Sequence, residues 1–260
     1  MQLVLVQLKE VGKKQYFLPM KNITLVPNEK VVVETPKGIE LAYVVNNVDL
    51  EIDATELKTI IRVATTDDLN VYDYNKTLND EVVTTIKELV KKHKLVMKIL
   101  SSEYTLDRKK LLIYFESDNR IDFRELVKDI SEIYHTRIEL RQIGSRDATK
   151  QLGGVGPCGY PTCCSTFLGD FEVVGIKNAK NQDLALNTTK LSGLCDKLLC
   201  CLKYEDSLYV EFKKNLPRVG SVIETPKGKA TVVDINILAR SAKVRYDDES
   251  FGYIEFHDKD

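Results

Sequence analysis

The sequence predicts an α+β protein with small β-barrel-like units at both ends, a central α-β-β-α-β domain and a cysteine-rich metal-binding segment. Three observations favour this fold class: alternating apolar runs at both ends, helical spacing of apolar residues in the middle, and six cysteines confined to one segment. The predicted boundaries are 1–62 for the N-terminal β unit, 63–150 for the central α/β domain, 151–205 for the cysteine-rich segment and 206–260 for the C-terminal β unit.

Both terminal regions are predicted to be β, because short alternating runs are separated by turn signals. The five residues Glu34–Gly38 recur identically as Glu224–Gly228, each time between two predicted strands, and we expect the same hairpin at both places. The predicted strands are Leu3–Leu8, Gln15–Leu18, Lys30–Glu34 and Ile39–Val48 in the first region, and Ser221–Glu224, Ala230–Leu238, Ala242–Tyr246 and Gly252–Phe256 in the last.

The central region is predicted to begin with a long helix. Thr66, followed by two aspartates, is a suitable helix start, and apolar residues then recur every three or four positions as far as His93. Lys76 and Asn79 interrupt this apolar stripe. The helix is followed by a hairpin of Leu95–Glu103 and Lys110–Glu116, a second helix capped by Asp122, and a strand at Thr136–Ile143. We expect the helices to cover one side of an antiparallel sheet.

Composition limits the classes of function. Of 260 residues, 43% are hydrophobic and 30% are charged, as in ordinary soluble globular proteins. The N-terminus lacks a basic region and a cleavage site, and no stretch reaches the roughly 18 apolar residues of a membrane span, so we expect a cytoplasmic protein. Because 38 basic residues stand against 39 acidic ones, we expect no strong direct nucleic-acid binding.

All six cysteines lie in two groups with the same spacing, in which one cysteine is followed after four other residues by an adjacent pair. In a reducing compartment this arrangement favours metal binding or redox chemistry over a disulfide framework. Adjacent cysteines point in different directions, so each pair is suited to different irons of a cluster or to two centres. The candidate metal ligands are Cys158, Cys163, Cys164, Cys195, Cys200 and Cys201.

The number of donors leaves two arrangements open. Tetrahedral zinc and a four-iron cluster each take four protein ligands. Six thiolates predict either one site with two structural cysteines, or two sites of three ligands that a partner chain completes. The residues alone do not distinguish zinc from an iron–sulfur cluster. No catalytic constellation accompanies them: the glycines before Cys158 lack a following Gly-Lys-Ser/Thr, and there is no Cys-x-x-Cys redox motif. We therefore expect no enzyme.

A longer set of residues around the cysteines is typical of one bacterial protein family. These residues are Phe123–Val127, Thr136–Gly144, Arg146–Asp147, Gly153–Leu168, Leu184–Asn187, Leu191–Cys195 and Leu199–Glu205. On them the chain resembles the YaaT/RicT family, whose central domain is named after a yeast polymerase-suppressor protein. The similarity is strongest over residues 65–205 and extends more loosely across almost the whole chain.

The resemblance implies a non-catalytic regulator that forms a complex with two small helical partners, one YlbF-like and one YmcA-like. That complex carries four-iron, four-sulfur (4Fe-4S) clusters, whose ligands in this chain would come from the six cysteines. It acts with the membrane-anchored endoribonuclease Y, promotes processing of particular messenger RNAs, and affects sporulation, competence and biofilm development. The resemblance thus favours the cluster over zinc.

Two positions beside the cysteines depart from the family pattern. Tyr160 stands where members usually carry Arg or Lys, and Asp196-Lys197 stands where many carry Gly-Arg. A cation near a thiolate cluster favours its more negative state, and Lys197 retains such a cation whereas Tyr160 does not. The alternatives to a cluster-bearing regulator are a zinc-stapled structural scaffold and a thiol-based redox sensor.

Overall fold

The computed structural model describes residues 2–8, 14–20, 24–50, 57–169 and 172–256. These residues form two compact units. The first unit runs to Phe171 and also includes the short segment Leu194–Lys197, whereas the second comprises Glu172–Gly193 and the chain from Leu198 onward. The chain therefore leaves the second unit and returns to it within the second group of cysteines.

The N-terminal part of the first unit is an antiparallel sheet. Its strands are β1 (Gln2–Gln7), β2 (Lys14–Phe17), β3 (Lys30–Thr35), β4 (Gly38–Asp49) and β5 (Arg62–Val63), ordered β2-β1-β4-β3-β5. Alternate residues of β1, β3 and β4, including Val4, Val31 and Val44, are buried in one core. The predicted strands are confirmed, but the predicted barrel-like closure is wrong for the described residues. Closure would require the edge strands β2 and β5 to pair, and β5 has only two residues.

The long helix α1 (Thr66–Lys92) begins at Thr66, as predicted, and its cap is the preceding residue, Thr65. The backbone N–H of Asp68 donates to the Thr65 hydroxyl at 3.3 Å, and the Thr65 N–H donates to the Asp68 carboxylate at 2.8 Å. This reciprocal pair satisfies two N–H groups that the helix leaves without internal partners. The Arg62 guanidinium binds the same carboxylate and is the main cause of the lowered pKa of Asp68.

The central sheet confirms the predicted α-β-β-α-β order. It contains β6 (Lys98–Tyr104), β7 (Lys110–Glu116) and β8 (Arg137–Gln142), and the helix α2 (Arg124–Tyr134) connects the last two strands. The prediction of an antiparallel sheet is wrong, because β8 pairs with β7 in parallel. A helical connection returns the chain to the end of the sheet at which the previous strand began, so the next strand runs in the same direction. The cap of α2 is Phe123, one residue later than predicted, although Asp122 accepts a hydrogen bond from the Arg124 N–H at 3.2 Å.

One core joins α1, α2 and the central sheet. Val82 and Ile86 from α1 and Leu126 from α2 pack with alternate residues of β7, among them Leu111 and Ile113. His93 and His135 end α1 and α2 respectively. The His93 ring contacts the Asp129 carboxylate at 2.9 Å. The pKa of Asp129 is lowered, mainly by the hydrogen bond from Lys92 and next by the one with His93.

Short helices surround the cysteine segment. The first unit contains α3 (Ser145–Leu152) and α4 (Cys163–Thr166), and the second contains α5 (Ile176–Asn181), α6 (Thr188–Leu191), α7 (Cys200–Tyr204) and α8 (Asp206–Lys213). The buried residues Ala179, Leu191 and Leu202 form a small core that joins α5, α6 and α7. Within the described ranges, none of the helices combines the length and the apolar character needed to cross a membrane.

The C-terminal sheet belongs to the second unit. Its strands are β9 (Val222–Thr225), β10 (Gly228–Asn236), β11 (Ser241–Tyr246) and β12 (Phe251–Glu255), ordered β12-β11-β10-β9 with antiparallel pairing throughout. Ala230, Val232, Ala242 and Val244 form its core. As at the N-terminus, the predicted strands are confirmed and barrel closure is not found among the described residues.

The repeated Glu-Thr-Pro-Lys-Gly sequence forms the same turn in both units. In the β3–β4 hairpin, the Thr35 hydroxyl accepts from the Lys37 N–H at 3.1 Å and donates to the Gly38 carbonyl at 3.4 Å. In the β9–β10 hairpin, Thr225 makes the equivalent two bonds at 3.2 and 2.8 Å. The predicted repetition of the hairpin is therefore confirmed.

Candidate functional site

The first group of cysteines lies on a closed loop between α3 and α4, here called the first cysteine loop (Val155–Cys164). Its ends are joined by an isolated antiparallel bridge between Val155 and Pro161. The Thr162 N–H donates to the Gly154 carbonyl at 3.0 Å, which fixes the entry into α4. Cys158 lies at the tip of the loop, and α4 begins with Cys163 and Cys164.

The second group lies on a loop of the same construction, here called the second cysteine loop (Ser192–Cys201). An antiparallel bridge joins Ser192 to Leu198. The Leu199 N–H donates to the Leu191 carbonyl at 2.9 Å, the counterpart of the Thr162–Gly154 bond. Cys195 lies at the tip, and α7 begins with Cys200 and Cys201.

Backbone angles confirm that the two loops are a structural repeat. The residue after the tip cysteine has a positive φ in both, 84° at Gly159 and 59° at Asp196. Aspartate is one of the few residues besides glycine that adopts this region readily, which explains how Asp196 replaces a glycine without changing the path. The residue before the helix has ψ of 134° at Thr162 and 130° at Leu199. The equal spacing of the cysteines thus reflects an equal backbone.

The thiols differ in exposure although the backbones agree. At the tip, Cys158 is exposed whereas Cys195 has 8% of its surface accessible. At the end of each loop the order reverses, since Cys164 is 4% accessible and Cys201 is half-buried. All six cysteines lie in the described part of the chain, and none is in a disulfide.

The tip of the second loop packs against the first unit. The Ser145 hydroxyl, at the start of α3, donates to the Cys195 carbonyl at 2.9 Å. The Leu194 side chain occupies the space over Gly154, because a Cβ added to that glycine would lie 2.5 Å from Leu194 Cδ2. Gly154 also has a φ of 136°, which only glycine adopts without strain. The first unit consequently holds four of the six cysteines, which are Cys158, Cys163, Cys164 and Cys195.

The two departures from the family pattern have different surroundings. The Tyr160 side chain is 74% exposed beside the tip of the first loop. Lys197 lies along the start of α3, with its Nζ atom 3.4 Å from the position that a Cβ on Gly144 would take. In the first loop, the Cys158 sulfur folds back over the backbone, 3.4 Å from where a Cβ on Gly156 would lie. The cation that the sequence retains therefore lies in the first unit, beside the start of α3, where Ser145 bonds the Cys195 carbonyl.

The donor chemistry fits a thiolate-bound centre, but the donors are not assembled into one. Among the described residues, no three side chains of His, Cys, Asp or Glu are arranged so that they could hold a metal ion. The six thiols are thus not arranged as a metal site among the described residues, and metal binding by the six cysteines stays a prediction.

Sequence reasoning found the cysteines but missed the residues that position Cys195. Ser145, Gly154 and Leu194 act through a hydroxyl, a missing Cβ and an apolar contact, none of which forms a recognisable motif. The one available signal is the glycine pair Gly153-Gly154 directly after a helix, which indicates a special backbone but not its partner.

Two family descriptions match the chain. The PSP1 C-terminal conserved region matches residues 58–143, and the third domain of PSP1-like proteins matches residues 173–216. The first match covers β5, α1 and the central sheet, and the second covers the helices that flank the second cysteine loop. No solved structure matches the chain.

The chain is similar over most of its length to one protein from Bacillus subtilis. Stage 0 sporulation protein YaaT is 48% identical over 242 residues, which cover 92% of this chain and 88% of the relative. Two yeast proteins share a shorter segment of 49 residues, 19% of this chain and 6% of each relative. They are an uncharacterized protein of Schizosaccharomyces pombe at 53% identity and protein PSP1 of Saccharomyces cerevisiae at 49%.

Proposed function

Because this chain belongs to the YaaT/RicT family, we propose that it is a non-catalytic subunit of a regulatory complex and binds a 4Fe-4S cluster through its cysteine loops. The Bacillus relative is named a stage 0 sporulation protein, which supports a sporulation-related regulatory role. The observation that carries the cluster proposal is the repeat itself: two loops with one backbone each present three thiols at equivalent positions. Unrelated structural cysteines have no physical reason to share both spacing and backbone.

Each loop supplies one thiol fewer than a four-iron cluster takes. Because no three donors converge within the described residues, we propose that cluster binding is coupled to assembly. A YlbF-like and a YmcA-like helical partner would supply further ligands and bring the thiols of a loop into position. A bound cluster would supply a covalent, redox-responsive link between the subunits.

The regulatory output we propose follows the family. The assembled complex promotes messenger-RNA processing by endoribonuclease Y in the cytoplasm, and thereby affects sporulation, competence and biofilm development. The net charge of −1 supports an indirect role, because strong binding to a phosphate backbone needs a surplus of clustered cations.

Anaerobic co-purification with the presumed partners tests this proposal. We expect brown protein that contains iron and acid-labile sulfide, and a loss of both in single Cys→Ser variants of each loop. Tyr160→Phe is the matched control, because it alters an exposed side chain of the first loop and leaves every sulfur in place. Colourless protein with stoichiometric zinc would establish the zinc-stapled scaffold instead. Metal-free protein whose thiols oxidise reversibly would establish the thiol-based redox sensor.

A further inference from the structure

A polar cleft of about 610 Å³ lies in the first unit, and the proposed function does not use it. Residues from α1, β6 and α3 line it, together with Lys37 from the β3–β4 turn, Ile143 and Ser165 of α4. The volume lies in the range of pockets that hold one small-molecule ligand.

Two asparagines that line this cleft carry buried side-chain oxygens without a partner among the described residues. Asn75 and Asn79 lie one turn apart on α1, on the side that further along the helix carries buried valine and isoleucine. Asn75 is only 5% accessible. The side-chain oxygens of both residues are buried and have no hydrogen-bond partner among the described residues. Because a buried acceptor without a donor is unfavourable for folding, these oxygens indicate a ligand that donates N–H groups.

The surroundings of the two amides carry positive charge and aromatic rings. Three lysines, Lys37, Lys76 and Lys150, line the cleft against two acids, Glu103 and Asp147, which leaves one net positive charge. The Lys150 ammonium also donates to the Gly169 carbonyl at 2.7 Å, which holds this side chain in place. Tyr72 and Tyr104 line the same cleft, and the Tyr104 ring has the Arg108 guanidinium at 5.3 Å from its centre. Lysines bind phosphate groups, and tyrosine rings stack on nucleobases.

We propose that this cleft binds a free nucleotide whose base carries an amino group. Asn75 and Asn79 would accept hydrogen bonds from the base, and the lysines would bind the phosphates. Adenine offers two N–H donors on one amino group and uracil offers a single ring N–H, so the site should prefer adenine. A free nucleotide fits better than an RNA strand, because the cleft holds one ligand and the chain lacks the cationic surplus of a strand-binding protein.

Calorimetric titration of the full chain with ATP, UTP, inorganic phosphate and single-stranded oligoadenylate tests the proposal. We expect ATP to bind with a Kd below about 1 mM, and UTP and phosphate to bind at least several-fold more weakly. Asn79→Leu and Lys76→Ala should each weaken ATP binding by about tenfold. Lys87→Ala is the matched control, because this exposed lysine lies on α1 outside the cleft and should leave binding unchanged.

A second measurement separates loss of binding from loss of folding. Asn79→Leu removes a buried amide oxygen that has no partner among the described residues and extends the apolar stripe of α1, so its Tm should be equal to or above that of the unaltered protein. Weaker ATP binding together with an undiminished Tm would support the site. ATP binding absent below about 1 mM, equal loss in Lys87→Ala, or phosphate binding as tight as ATP would overturn it. Tighter, salt-dependent binding of oligoadenylate would overturn the assignment to a free nucleotide.

Discussion

The two cysteine loops have the same backbone and opposite patterns of thiol exposure. In the first loop the tip cysteine, Cys158, is exposed and the last cysteine, Cys164, is buried, whereas in the second loop Cys195 is buried and Cys201 is half-buried. The difference comes from what each loop touches. The first tip faces solvent, and the second tip is held by Ser145 and by the contact of its leucine with Gly154.

The spacing of the cysteines thus determines the path of the chain, whereas the neighbouring residues determine how accessible each thiol is. Six cysteines with a symmetrical sequence pattern are thus expected to behave as unequal groups. Cys158 can meet a reagent or a partner directly, while Cys195 becomes accessible only when its contacts with the first unit open.

The largest effect is expected from Gly154→Ala. The new Cβ would lie 2.5 Å from Leu194 Cδ2, at a φ of 136° that alanine does not readily adopt. Crowding and backbone strain together should lower the free energy of unfolding by about 3 kcal/mol, measured by urea denaturation. Gly159→Ala is the matched control: it also has a positive φ but nothing within 4 Å of the new Cβ, and should cost about 1 kcal/mol. Equal costs for the two variants would show that Leu194 does not pack on Gly154.

Ser145→Ala should have a smaller effect directed at one thiol. The substitution removes the donor to the Cys195 carbonyl, which should cost about 1 kcal/mol and raise the labelling rate of Cys195 by about fivefold. Ser165→Ala is the control in the first loop, because its hydroxyl contacts Thr162 at 2.8 Å. That variant should leave Cys195 labelling unchanged. If both serine variants expose Cys195 equally, the tip is not held by Ser145.

Gly159→Asp should have an effect within about 0.5 kcal/mol. It introduces into the first loop the residue that the second loop carries at the equivalent position, where Asp196 has a φ of 59°. Chemical denaturation beside Gly159→Ala measures it, and aspartate should be the better tolerated of the two. A cost for aspartate above that of alanine would contradict the equivalence of the loops.

The smallest effect concerns an ion pair of α7, the helix that follows the second cysteine loop. Lys203 on α7 contacts the Glu172 carboxylate at 2.8 Å, and this contact raises the pKa of Lys203 above 10.5, whereas the equivalent residue of the first loop is Thr166. Because the pKa is raised by folding, the pair stabilises below pH 10.5 and its contribution is lost as the pH rises through the raised pKa.

Glu172→Gln should therefore reduce stability slightly at pH 7, and the difference should vanish at high salt, since the glutamate side chain is 77% exposed. Urea denaturation at low and high ionic strength measures this. Glu211→Gln, which removes an exposed acid from α8, is the control and should show a smaller dependence on salt. A loss in Glu172→Gln that salt leaves unchanged would indicate a role other than the ion pair.

Local patterns predicted the elements well, and long-range contacts account for what was missed. Strand periodicity and turn residues located the strands of both terminal sheets. The repeated turn was found because the Thr35 and Thr225 hydroxyls each bond a residue only two positions further along the chain, so the whole turn is encoded in five consecutive residues. Sheet closure and the parallel pairing of β8 depend on contacts between distant segments, which alternation does not encode.

For the candidate site, the sequence identified all six cysteines and their repetition, because spacing is a local property. The sequence contains no pattern that predicts the position of Leu194–Lys197 in the first unit. The reason is that Leu194 packs on Gly154, which lies 40 residues earlier in the chain. The interruption of the α1 stripe by Asn79 was visible in the sequence, but only the structure shows that this residue lines a polar cleft and that its amide oxygen is buried with no partner among the described residues.

Mass-spectrometric labelling of each cysteine, in the chain alone and in the anaerobically purified complex, tests whether the two loops together bind a cluster. In the chain alone, Cys158 should react at least about tenfold faster than Cys195 and Cys164. In the complex, cysteines of both loops should be protected, and removal of iron with a chelator should restore the pattern of the chain alone. Identical labelling with and without iron would contradict the proposal that the two loops provide the ligands of a cluster.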